Sequence, residues 1–110
     1  MTTFDDREKA FEKKYAHDSE MQFKVEARRN KLLGLWAASK MGLSGDAAEA
    51  YAKSVVIADL KEAGDQDVLH KVAGDLSAKA AGVTESDVRK QMQDLLVVAK
   101  GQIMQEAGGS

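Results

Sequence analysis

The chain has 110 residues, with 16 Lys and Arg against 18 Asp and Glu, a formal net charge of −2, and neither cysteine nor proline. That length allows one domain and burial of roughly two thirds of the unfolded surface. The missing thiols exclude a disulfide framework or thiolate metal site, and the near-balanced, interspersed charge gives a phosphate backbone little to hold, so no nucleic-acid partner is expected.

No run approaches the ~20 apolar residues of a membrane span. The acidic start Thr3-Phe4-Asp5-Asp6 is unlike a secretory signal. A cytoplasmic protein without direct membrane insertion is expected. Ala, Lys, Glu, Leu, Gln and Met are abundant, and β-branched runs are nearly confined to Ser54-Val55-Val56-Ile57 and Val97-Val98. These preferences predict an all-α protein.

Residues 1–19 read as an arm. A helix is possible from Thr3 to about Asp18, with Thr3 as cap, Asp6 at capping-box spacing, and Asp5, Asp6 and Glu8 complementing the positive end of the dipole. Phe4, Phe11 and Tyr15 share a stripe that Glu8 interrupts. So narrow a stripe holds a helix weakly, and the arm is expected to be frayed in the free protein.

A second helix is predicted over residues 20–41, stopped by Gly42. Val25, Leu32, Trp36 and Ser39 define its apolar rows, widened by Leu33, Leu35 and Ala37, which takes the single Trp into the core. Arg28, Arg29 and Lys31 are expected to face water or an acidic partner. Ser44 caps a helix over residues 45–63, with a stripe of Ala48, Tyr51, Ala52, Val55, Ala58 and Ala63 ending at Gly64. Asp65 caps another over 66–81, carrying Leu69, Val72, Ala73 and Leu76 and closed by Gly82. Thr84 and Asp87 have capping-box spacing ahead of a last helix over 85–106, with Val88, Met92, Leu95, Leu96, Ala99 and Ile103 in line.

Short links make neighbouring helices antiparallel, so residues 20–107 describe a four-helix bundle followed by a disordered tail, 108–110. A helix running unbroken from the arm through residue 25 would make a stiff rod. A break near Asp18-Ser19 would make a tethered peptide.

Catalytic signatures are missing: there is no phosphate-binding GxxxxGK[ST], no GxGxxG and no HExxH. His17 and His70 are the only histidines. The reading is therefore a non-enzyme without catalytic residues, metal or cofactor. Gly34, Gly74 and Gly101 fall inside predicted helices, where each costs about 1 kcal/mol relative to Ala; close helix packing is the expected reason.

All three phenylalanines and one of the two tyrosines, Phe4, Phe11, Tyr15 and Phe23, lie in the first quarter of the chain. Aromatic anchors on a charged helix suit a groove on a partner. Three such side chains give perhaps 5 to 9 kcal/mol at about 1.5 to 3 each, against about 2 to 5 for ordering the segment. The arm alone would bind weakly, and a body docking on the same partner supplies the rest through effective concentration.

The run Phe4-Asp5-Asp6-Arg7-Glu8-Lys9-Ala10-Phe11-Glu12, then Ala16-His17-Asp18, then Ala27-Arg28-Arg29-Asn30-Lys31-Leu32-Leu33-Gly34-Leu35-Trp36-Ala37-Ala38 strongly resembles the zeta subunit of alphaproteobacterial ATP synthases, an inhibitor of ATP hydrolysis. The resemblance implies an arm entering a catalytic interface between the alternating head subunits of an F-type ATP synthase, touching the central stalk and blocking rotation. The bundle would stay outside as an anchor. It implies Phe4, Arg7, Phe11, Lys14 and Tyr15 as partner contacts, and a location at the cytoplasmic face of the inner membrane through the synthase.

Two alternatives stand beside that reading. One is a sensor that binds ATP or ADP weakly through Arg28, Arg29 or Lys31; the other is an interaction module of another complex. The free protein is expected to be a monomer.

Overall fold

In a computed structural model the described residues are 13, 15, 18–61, 65–79 and 81–108. They form four helices: α1, Ser19–Lys40; α2, Gly45–Lys61; α3, Asp65–Ala78; and α4, Glu85–Gly108. The all-α four-helix bundle read from the sequence is what is found. The expected caps at Thr3 and Asp6 and the links at Ala63 and Gly64 lie outside the described residues, as do Gly109 and Ser110.

Local chemistry sets the helix ends. Asp18 is extended, φ −114° and ψ 105°, and its Oδ1 accepts from the N–H groups of Glu20 at 3.0 Å and Met21 at 3.2 Å. A non-helical residue with its carboxylate over two unpaired donors starts α1, so the chain breaks here. At the other end, the Leu43 N–H reaches the Ala38 carbonyl at 2.8 Å and the Gly42 N–H reaches that of Ser39 at 3.1 Å. This is a Schellman closure, which needs the positive φ of 80° that Gly42 adopts. The Thr84 and Asp87 capping box forms in both directions: Thr84 N–H to Asp87 Oδ2 at 3.0 Å, and Asp87 N–H to Thr84 Oγ1 at 3.1 Å.

Two expected boundaries move. Helix α3 ends at Ala78 rather than 81, with the Ala81 N–H closing back onto the Leu76 carbonyl at 3.1 Å. Gly82 instead turns the link that follows, at φ 72°. Helix α4 runs on to Gly108, the first residue of the expected tail.

Helix α1 is the hub, packing most heavily on α2, next on α4, and touching α3. The larger buried cluster joins Leu33, Ala37, Val55, Val68, Leu69, Val72, Leu76, Val88 and Met92. A smaller one, Met21, Val25, Ala99 and Ile103, lies between the start of α1 and the end of α4. The first and last helices, 22 and 24 residues long, exceed α2 and α3, 17 and 14 residues long, by about one and a half to three turns, so one end of the bundle is a two-helix extension.

Trp36 does not enter the core centre. It is half-buried and lies against the edge of the larger cluster, while the fully buried row passes through Val25, Leu33 and Ala37. The centre follows small residues because α1 and α2 meet backbone to backbone. A Cβ built on Gly34 would stand 2.5 Å from Ala52 Cα and 3.3 Å from Val55 Cγ2. Close packing explains Gly34 but not the other two, since a Cβ at Gly74 or Gly101 meets nothing within 4 Å.

Opposite stability effects follow. Gly34→Ala forces α1 and α2 apart and is expected to lower stability by about 1 to 3 kcal/mol, whereas Gly101→Ala should raise it by about 1 kcal/mol through helix propensity alone. Urea titrations of the two variants against the parent chain check the signs.

Candidate functional site

Between the two apolar clusters, α1 carries a polar pair. Arg29 is 3% exposed and Asn30 1%. The Arg29 guanidinium donates to Asn30 Oδ1 through Nε at 3.1 Å and Nη2 at 2.9 Å, and Nη2 also reaches Asp65 Oδ1 at 3.0 Å. Asn30 Nδ2 in turn donates to Asp59 Oδ2 at 3.0 Å. Two adjacent α1 side chains thereby hold the end of α2 and the start of α3. Among the described residues no buried side-chain N or O lacks a partner, which is the condition for burying such a network without a large penalty. Glu26 feels the same cluster: partial burial lifts its carboxyl above the usual range, Arg29 opposes this, and Asp59 and Asp65 add to it.

Arg28, the residue just before Arg29, points the other way. Its Nη1 lies 2.7 Å from Glu106 Oε2 and donates to Gln102 Oε1 at 2.8 Å, and Nη2 donates to Glu106 Oε1 at 3.0 Å. This bidentate pair clasps α1 to the last turns of α4. The hydrogen bond from Arg28 holds the Glu106 carboxyl below the usual range.

At that same extension, Tyr15 packs half-buried against Met21, Val25, Ala99 and Ile103. Lys100 Nζ stands 4.5 Å from the centre of its ring, and its carbonyl accepts from Gln22 Nε2 at 2.9 Å. A cation over a tyrosine face contributes roughly 0.5 to 1 kcal/mol at a partly exposed site. Elsewhere, Tyr51 Oη donates to Asp75 Oδ2 at 2.8 Å and Lys71 Nζ to the same oxygen at 3.1 Å, tying α2 to α3. Burial first, and then the Asp75 carboxylate, pushes the Tyr51 phenol far above its ordinary value.

The residues singled out in the sequence separate in space. Phe4, Arg7, Phe11 and Lys14 lie outside the described residues. Tyr15 faces the chain's own helices. Arg29 was expected at the surface and is buried instead, because it lies on the rows that α2 and α3 cover. Arg28, Arg29 and Lys31 do not converge: Arg28 serves α4, Arg29 serves α2 and α3, and Lys31 lines a shallow groove with Ala52, Lys53 and Val56. The described surface therefore offers no joint triphosphate cradle from these three. Asn30, Asp59, Gln102 and Glu106 escaped sequence reasoning, since only pairing across helices marks them.

Such an arrangement, with polar networks spent on holding helices together, defines an all-α helical bundle. The model of the ATPase inhibitor subunit zeta family matches residues 1–102, so the chain belongs to that family of non-catalytic inhibitor subunits. A solved solution NMR structure is 56% identical, covers 78% of this chain and 98% of its own, and superposes with a TM-score of 0.69. Among curated proteins no match is found. No described helix is long and apolar enough to cross a membrane.

Acid should loosen the extension. Because the folded value of Glu106 is depressed, the stability it contributes is present above its unfolded value and lost as pH falls through the folded one. Amide exchange in the last turns of α4 should therefore accelerate below about pH 4, and Arg28→Met should remove that dependence. Glu26 behaves in the opposite sense. Its raised folded value makes the charged form costly at neutral pH, so Glu26→Gln should raise the melting temperature there, with the gain vanishing in acid.

Proposed function

We propose that this protein restrains ATP hydrolysis by an F-type ATP synthase through its leading segment, with the bundle as the anchor. In this reading the segment enters a catalytic interface of the head and blocks rotation of the central stalk, with Phe4, Arg7, Phe11 and Lys14 as its contacts. Family membership supports the inhibitory role, and the matched region begins at residue 1, so it includes the segment.

The observation that carries the division of labour is the helix break at Asp18. A chain interrupted there can change direction between segment and body without unwinding α1. Both buried clusters are made by residues 21 to 103, and Tyr15 is the earliest described residue packed against them. In this reading Phe4 and Phe11 are the anchors in a partner's groove, where buried aromatic side chains contribute most to binding.

Deleting residues 2–12 should abolish inhibition of the purified ATPase while moving the melting temperature of the bundle by no more than about 2 °C. Full inhibition by the shortened chain would refute the assignment. A finer test is Phe4→Ala with Phe11→Ala, which should raise the half-inhibitory concentration at least about tenfold through loss of buried aromatic area.

A further inference from the structure

Tyr15 packs on the helices of its own chain. Its ring lies over the groove between α1 and α4, against Met21, Val25, Ala99 and Ile103, with Lys100 Nζ 4.5 Å above it. Its backbone is held separately, by the 2.9 Å bond from Gln22 Nε2 to its carbonyl. Three residues later Asp18 breaks the helix and caps α1. Ring and main chain are thus fixed by two independent contacts on the two-helix extension, which the Arg28 to Glu106 pair clasps.

We propose that Tyr15 is a positioning residue rather than a partner contact: seated on the α1 and α4 extension beneath Lys100, it latches the leading segment to the bundle and sets where that segment departs. This rests on the reading that the segment is the inhibitory part. A ring half-buried against its own helices spends that face on them rather than on a partner's groove. Held there, it starts the residues before it from one defined point. Shortening a tether and fixing its origin raises the effective concentration of the segment at a partner that also holds the body. The latch therefore stays closed in the inhibited complex.

The test uses the full chain, whose lack of native cysteine makes introduced thiols unique. In the free protein, nuclear Overhauser contacts from the Tyr15 ring to the methyl groups of Val25 and Ile103 are expected; their absence overturns the proposal. In ATPase titrations, Tyr15→Ser should raise the half-inhibitory concentration about tenfold, while Tyr15→Phe, which keeps the ring beneath Lys100, should stay within about threefold. A smaller effect of Ser, or an equal effect of Phe, overturns it. The double variant Tyr15→Cys, Lys100→Cys, bridged by a short bis-maleimide, closes the latch covalently and should inhibit within about threefold of the parent. Weaker inhibition on bridging would mean that Tyr15 must leave its seat, and would overturn the proposal. Inhibition that survives removal of residues 2–12 would overturn the inhibitory reading as well, and the Overhauser contacts would then record a purely structural anchor.

Discussion

The bundle turns on one buried charge. Arg29 sits inside, 3% exposed, while its carboxylate partner Asp65 is 70% exposed. The guanidinium is acceptable there because Asn30 accepts from it twice and, through its own amide, reaches Asp59. Buried ions without such partners are strongly destabilising, and satisfied ones contribute specificity more than stability. Here the specificity is geometric. A single adjacent pair on α1 fixes both the end of α2 and the start of α3, and so the point where the chain turns back.

That layer also divides the molecule by task. On one side all four helices enclose the larger cluster, and Gly34 lets α1 and α2 approach within backbone contact. On the other side only α1 and α4 continue, with a smaller apolar cluster and a bidentate clasp between Arg28 and Glu106. A pair of helices buries less than a quartet, so the extension is the more easily loosened end. It is also the end on which Tyr15 is seated.

The helix break at Asp18 and the bundle behind it are the structural facts on which the proposed division between holding and blocking rests. The quartet is held by a shared core, and Asp18 interrupts the helical path ahead of α1. In the proposed reading, affinity comes from two modest contacts joined by a short connection rather than from one extensive interface.

The sequence by itself determined the elements. A chain without proline and rich in helix formers gave all-α structure, Thr84 and Asp87 marked the start of the last helix, Gly42 marked the end of the first long one, and the stripes containing Val72, Leu76, Val88 and Ile103 named most of the core. These are local signals, set within a turn or two of the chain. The tertiary structure decided what each basic and aromatic residue does. Arg28 and Arg29 are neighbours in the same helix, yet they serve different helices because successive residues point about 100° apart. Trp36 lies at the edge of the larger cluster while Leu33 and Ala37 take its centre, and Tyr15 packs on the α1 and α4 extension that outruns α2 and α3. Those outcomes depend on which helix lies opposite, a fact that is not written in the spacing of any one segment.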